Sequence, residues 1–266
     1  MGASSSSHDV GSTSSCSCTP PPLVPPRCQL SQYGGDVLRN NYGAWTLCSD
    51  QLSERSHVFS VGIGTDASFD VAIAKRHGAR VSCFDPTINQ RQFEKAVVRA
   101  TRHDQHRAHS LLRFYPFGLG AEDSVLAFYR RNHSNENGSL VSTPGLPNYV
   151  QRVWLHAPVL RVQTLQHIAQ VPRIDVLKLD IEGAEWRVFH RNNTDLREWL
   201  RCSPPSQIAI EFHDRFFDQL DRLRPRQRRA RVYRLLKRCG YTRRHWSLPA
   251  KEEVLFVRDH VASADC

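Results

Sequence analysis

Apolar runs the length of buried strands alternate with helical stretches through most of the chain. His57–Val61 (HVFSV) is the first such run, and Ala67–Arg76 follows with helical character until His77-Gly78, where glycine supplies a left-handed cap. Arg80–Phe84 reads as a second strand ended by Asp85-Pro86, Asn89–Arg102 as a helix and Leu112–Phe117 as a third strand. Residues 120–160 break the rhythm. Val125–Tyr129 and Ser139–Val141 read as short strands around the polar RRNHSNENGS, with the loop STPGLPN beyond, an excursion suited to shaping a substrate site. Val159–Val162 then leads into the helical TLQHIAQV. Ile174–Leu179 and Gln207–Phe212 are apolar strands, with helices at Ala184–His190 and Leu196–Leu200 between them. Gln227–Arg238 sets Val232, Leu235, Leu236 and Cys239 at helical spacing before Gly240, and Gly240–Trp246 with Glu253–Val257 predicts a closing antiparallel pair.

This order predicts an α/β Rossmann-like domain over residues 57–260: a mainly parallel seven-stranded sheet, helices on both faces and a C-terminal antiparallel hairpin. Residues 31–56 are turn-rich and aromatic, and form an entrance segment expected to pack on that domain. Residues 1–30 are Ser/Pro-rich with too little apolar content to pack, so a disordered tail is expected. Met1–Ser6 fits a loose myristoylation pattern near Cys16 and Cys18, but a serine tract matches it easily and a flexible tail is the preferred reading.

Composition narrows the picture modestly. With 40% apolar residues, five Trp and twelve Phe, a substantial core is available. The formal charge of +10 favours anionic partners, and arginines cluster between Arg222 and Arg244; a solvated face is the default for that cluster. No run of eighteen apolar residues exists, so no membrane-spanning helix is expected. The eight cysteines form no CxxC pair, and no metal is assigned. Cys83 and Cys239 read as core residues, whereas Cys28 and Cys48 flank the domain entrance and can pair in an oxidising compartment. Sequons at Asn132, Asn137 and Asn192 are compatible with secretion, yet residues 1–30 hold no apolar leader core, so the compartment stays open.

Candidate chemistry starts at Gly62 and Gly64. A strand, a Gly-x-Gly turn and a helix start form a nucleotide-cofactor cradle, because a missing β-carbon lets the backbone approach a ligand closely. Asp85, at the end of the second strand, is placed to accept ribose hydroxyls. The third glycine of a dinucleotide fingerprint is missing, and beside its position stands Asp66, whose charge would repel a pyrophosphate but favour an ammonium or sulfonium. Asp180 and Glu182 alternate where the strand at Ile174–Leu179 gives way to loop, the edge at which open α/β sheets bind ligands. Ser203-Pro-Pro-Ser206 lacks the aromatic residue that would stack on a flipped base, and is set aside.

The segment IDVLKLDIEGAEW (174–186) closely resembles the signature of FkbM-type methyltransferases, typically D-L-L-K-I-D-V-E-G-A-E. VSCFDP (81–86) resembles that family's second-strand motif, Thr164-Leu165 its lead-in to the signature strand, and AIEFH (209–213) its fifth strand. YGAW (42–45) with VFSVGIGTDASF looks like the eukaryotic methyltransferase-like branch. The resemblance covers about residues 57–215. It implies a class I methyltransferase fold, to which the terminal hairpin is suited, with S-adenosyl-L-methionine as cofactor and O-methylation of a small molecule, sugar or glycan. It places Gly62, Gly64, Thr65, Asp66 and Asp85 at the cofactor, and Asp180, Glu182, Glu211 and His213 at the reaction centre. Glu211 and His213 are the candidates for base or acceptor positioning, and the four together can gather a divalent cation. Ser60 and Asp66 depart from the family pattern, which keeps an inactive cofactor-binding scaffold as an alternative. An RNA methyltransferase using the arginine face is a further alternative, motivated by charge alone.

Overall fold

The structure, a computed structural model, describes residues 27–35, 43–101, 106–131, 139–141, 149–190, 192–213, 225–247, 253–259, 261–263 and 266. The tail with its myristoylation pattern, the sequons at Asn132 and Asn137, the STPGLPN loop and the arginines at 222 and 224 lie outside these residues. No helix among the described residues is long and apolar enough to cross a membrane.

Two short strands, Leu30–Tyr33 (β1) and Trp45–Cys48 (β2), pair antiparallel, and a Cys28–Cys48 disulfide joins their ends. The main body then runs His57–Val61 (β3), Ser68–His77 (α1), Arg80–Phe84 (β4), Gln90–Thr101 (α2), His106–Leu111 (α3) and Leu112–Tyr115 (β5). Gly118–Leu119 (β6), Ser124–Arg131 (β7), Ser139–Val141 (β8) and Tyr149–Leu160 (β9) form a second, four-stranded sheet. Val162–Ala169 (α4), Val176–Leu179 (β10), Glu185–Val188 (α5), Thr194–Cys202 (α6), Gln207–Glu211 (β11), Pro225–Arg238 (α7), Tyr241–Trp246 (β12) and Glu253–Arg258 (β13) complete the chain.

The central sheet has seven strands in the order β12-β13-β11-β10-β3-β4-β5. β11, β10, β3, β4 and β5 are parallel, and β13 runs antiparallel to both β11 and β12. The chain winds from β3 outward to β5, then returns to the other side of β3 as β10. That reversal opens a crevice beyond the carboxyl ends of β3 and β10, where doubly wound sheets bind ligands. Side chains alternate between the faces. Phe59, Val61, Leu177, Leu179, Ile208 and Ile210 enter the core beneath α4 to α7, whereas Val58, Val176 and Ala209 enter the core shared by α1, α2 and β2.

Two sequence expectations need correction. The 120–160 excursion holds a twelve-residue strand, β9, of which only the last residues were expected. Pro158 interrupts the apolar signal there, although it pairs with Val125, and among the described side chains Leu155, Ala157 and Val159 turn toward Phe128. Arg161 ties this sheet to the main body through Asp123 (3.0 Å) and Asp195 (2.7 Å). Cys239, expected as a core thiol, is buried but disulfide-bonded to Cys266. Cys83 is the buried free thiol among the described residues.

Candidate active site

Two loops meet in the crevice. The first follows β3. Gly62 has φ +81°, and a β-carbon placed on it would stand 1.6 Å from the Asp180 carbonyl oxygen, so the β3 and β10 chain ends cross at a spacing only glycine permits. The crossing is fixed by Gly62 N–H donating to Phe84 O (2.9 Å) and Asp180 N–H to Val61 O (3.0 Å). Gly64 also has a positive φ, +55°, but a β-carbon there would meet nothing within 4 Å. Its α-carbon faces open space.

Asp85 and Lys178 shape this loop from below. One Asp85 carboxylate oxygen accepts from the amides of Ile63 (3.0 Å) and Gly64 (2.7 Å), and the other from the amide and hydroxyl of Thr87. Asp85 is therefore the loop's anchor, with all four of its acceptor positions engaged. Lys178 is buried in β10, where sheet alternation turns it toward α1; its ammonium donates to Gly62 O (2.8 Å) and lies 4.8 Å from the Trp45 ring centre. Asp70 is buried nearby on α1: burial pushes its carboxyl up, and Lys178 pulls against that shift. Asp66 is exposed, and its Oδ1 accepts from Ser68 N–H (2.8 Å), the first amide of α1. Thr65 is exposed, and its carbonyl accepts from Arg99 (2.9 Å).

The second loop, Asp180-Ile181-Glu182-Gly183, follows β10. Glu182 adopts φ +51°, a conformation costly outside glycine. Glu185 holds the turn in this shape. Fully buried at the start of α5, its carboxylate accepts from the amides of Ile181 (3.3 Å) and Gly183 (3.1 Å) and from His213 Nδ1 (2.9 Å). His213, just past β11 and 2% exposed, turns Nε2 toward Asp180 (3.6 Å), Glu182 (3.5 Å) and Glu211 (3.6 Å). All four carboxyl and imidazole residues expected at the reaction centre thus stand together. Burial works against a charged His213, but the Glu185, Glu182 and Asp180 carboxylates outweigh it and raise the imidazole to about 10. Burial, then the Asp180 charge, raises Glu211 to about 8. At neutral pH the imidazole carries a proton, so it orders the carboxylates rather than acting as a ready base.

Phe212, next to His213 in the chain, packs into an aromatic and basic cluster of the core. Trp186 stacks on Phe212 with ring centres 5.2 Å apart, and Arg228 and Arg229 of α7 lie 5.9 and 5.6 Å from these two rings. Arg228 is buried, so this part of the arginine cluster is not the solvated face expected of it.

The Methyltransferase FkbM domain model matches residues 57–242. The chain belongs to the FkbM methyltransferase family. An FkbM methyltransferase from Methylobacillus flagellatus KT aligns with a TM-score of 0.47 at 15% identity over 77% of this chain; the chain spans only 44% of that protein. The Methanococcus jannaschii fibrillarin pre-rRNA processing protein aligns at 0.43 and 10% identity, over 79% of this chain and 69% of its own. The antibiotic-resistance methyltransferase Kmr also aligns at 0.43, with 13% identity, over 87% of this chain and all of its own. No curated protein matches. The sheet order and closing hairpin are those of a Rossmann-like class I methyltransferase.

Three contributors to this FkbM-family site went unread in the sequence. Glu185 is the second glutamate of the signature itself, and Lys178 is a lone cation inside an apolar strand, so both carried a usable signal. Trp45 carried none, because its position over Lys178 depends on how a distant segment folds back.

Proposed function

We propose that this FkbM-family chain uses S-adenosyl-L-methionine to methylate a hydroxyl of a small molecule, sugar or glycan. The carrying observation is the Gly62–Asp180 crossing, which sets the carboxylate–histidine cluster directly against the glycine loop. The cofactor supplies an electrophilic methyl group on a sulfonium. Its removal is an in-line displacement, for which alignment and loss of the acceptor proton dominate the barrier.

The residues fit such a cofactor. Gly62, Gly64, Thr65 and Asp66 line the cradle, and Gly64 leaves it open. Asp66 already occupies the first amide of α1, which a diphosphate would otherwise take. Asp85 keeps the loop shaped, and a ribose hydroxyl reaches its carboxylate by exchanging with the rotatable hydroxyl of Thr87. Asp180, Glu182 and Glu211, ordered by His213, receive the acceptor hydroxyl and its proton. The formal charge of +10 is compatible with an acceptor that carries negative charge; nucleic acid draws on charge alone and is the lesser alternative.

Calorimetry with S-adenosyl-L-methionine and S-adenosylhomocysteine tests the reading. Both should bind at one site. Absence of binding to both overturns the enzyme reading and favours the inactive scaffold. A methyl-transfer screen across hydroxylated small molecules, oligosaccharides and RNA then identifies the acceptor class.

A further inference from the structure

Asp180 Oδ1, Glu182 Oε2 and Glu211 Oε1 surround His213 Nε2 at 3.6, 3.5 and 3.6 Å. The ligand atoms of Asp180, Glu211 and His213 all lie within 4.8 Å of one another. A charge-assisted N–H···O bond closes to about 2.7–2.9 Å, so these oxygens ring the nitrogen at wider than hydrogen-bond spacing. An ion bound at about 2.1 Å holds neighbouring donors about 3.0 Å apart at right angles and about 3.4 Å apart at the tetrahedral angle. The observed separations are close to the second value.

The imidazole is also oriented for this. Nδ1 is tied to Glu185, whose carboxylate is itself fixed by the amides of Ile181 and Gly183. A ligating histidine characteristically gives its other nitrogen to a carboxylate, which sets the tautomer and makes the ligand more basic. The Asp180, Glu182 and Glu211 oxygens gather on the Nε2 side, where a cation that displaces the Nε2 proton would meet the imidazole and the carboxylates together.

We propose that Asp180, Glu211 and His213, flanked by Glu182, bind one divalent cation. The near-tetrahedral spacing suits Zn2+, and the carboxylate-rich donor set also admits Mn2+. Resting on the methyl-transfer reading, the cation's role is to polarise the acceptor hydroxyl beside the glycine loop and ease its deprotonation.

The full chain is stripped with chelator, dialysed and titrated with MnCl2 by calorimetry, with free Mn2+ followed by electron paramagnetic resonance. One Mn2+ per chain is expected. Asp180→Asn and Glu211→Gln should each weaken binding at least tenfold, while the melting temperature in chelator shows that each variant folds. Absence of stoichiometric binding by Mn2+, Mg2+ and Zn2+ overturns the proposal, as does Mn2+ binding that survives both substitutions. S-adenosylhomocysteine is titrated in parallel. Cofactor binding without metal binding removes this inference alone; metal binding without cofactor binding removes the methyl-transfer reading alone.

Discussion

Gly62 and Gly64 stand two residues apart with the same unusual backbone, yet the structure assigns them different work. In Gly62→Ala the new methyl would lie 1.6 Å from Asp180 O, where real contacts stay beyond 3.0 Å, so one chain end must retreat by at least about 1.4 Å. That retreat breaks the Gly62–Phe84 and Asp180–Val61 bonds and the Lys178–Gly62 bond. At about 1 kcal/mol for each bond, plus about 1–2 kcal/mol for a β-carbon at positive φ, the loss is about 4–5 kcal/mol. A domain of this size loses about 2–4 °C per kcal/mol, so melting should fall by about 10–15 °C. In Gly64→Ala the methyl meets nothing, leaving the backbone cost of about 1–2 kcal/mol. That methyl enters the cradle, however, and S-adenosylhomocysteine affinity should fall at least tenfold. Differential scanning calorimetry and ligand titration on both variants decide the matter. Equal destabilisation by the two would refute the crossing argument, and native cofactor affinity in Gly64→Ala would show that the open space is not the cofactor's.

Lys178→Met should cost about 3 kcal/mol, since it strips Gly62 O of its donor and leaves buried Asp70 without its neighbouring cation; adding Asp70→Asn should recover part of the loss in urea melts. His57 is depressed to about 4 by burial, Arg80 and Arg113. Its contribution to stability is therefore complete above the unfolded value of about 6.5 and fades as pH falls toward 4. His57→Gln should flatten the decline in melting temperature across that window, and an unchanged decline would show that other groups govern it. Replacing Cys28 and Cys48 by serine opens a cross-link spanning 20 residues and should lower stability by about 3 kcal/mol in denaturant titrations. Asp85→Ala removes the acceptor of four donors and should reduce both stability and S-adenosylhomocysteine affinity; loss of neither would mean that the loop holds its shape unaided.

The sheet was legible because each buried strand is a local run: β3 and β4 match their expected limits residue for residue, and Gly78 caps α1 at φ +67° as its position implied. β9 was hidden because Pro158 interrupts its apolar signal. At the site, the signature exposed Asp180 and Glu182, and strand-end position exposed Glu211 and His213. The chemistry of Asp85 was less visible. An acid after a strand suggests a ligand contact, but only the folded loop shows that its oxygens are taken by Ile63, Gly64 and Thr87. Cys239 shows the same limit: helical spacing reveals its inward face, whereas its partner, Cys266, is 27 residues away and depends on where the chain end returns.

The Trp45–Lys178 contact bears on where this folded unit begins. The family match starts at residue 57, but the ring covering the buried ammonium that holds Gly62 comes from before that boundary. β2 is fastened to the sheet as well, with Cys48 and Gln207 exchanging two hydrogen bonds of 2.8 and 3.1 Å. A polypeptide trimmed to the matched region would expose Lys178 to water and loosen the floor of the cradle. The smallest transplantable version of this domain therefore starts at or before Cys28, so that the disulfide and the tryptophan travel with the glycines they support.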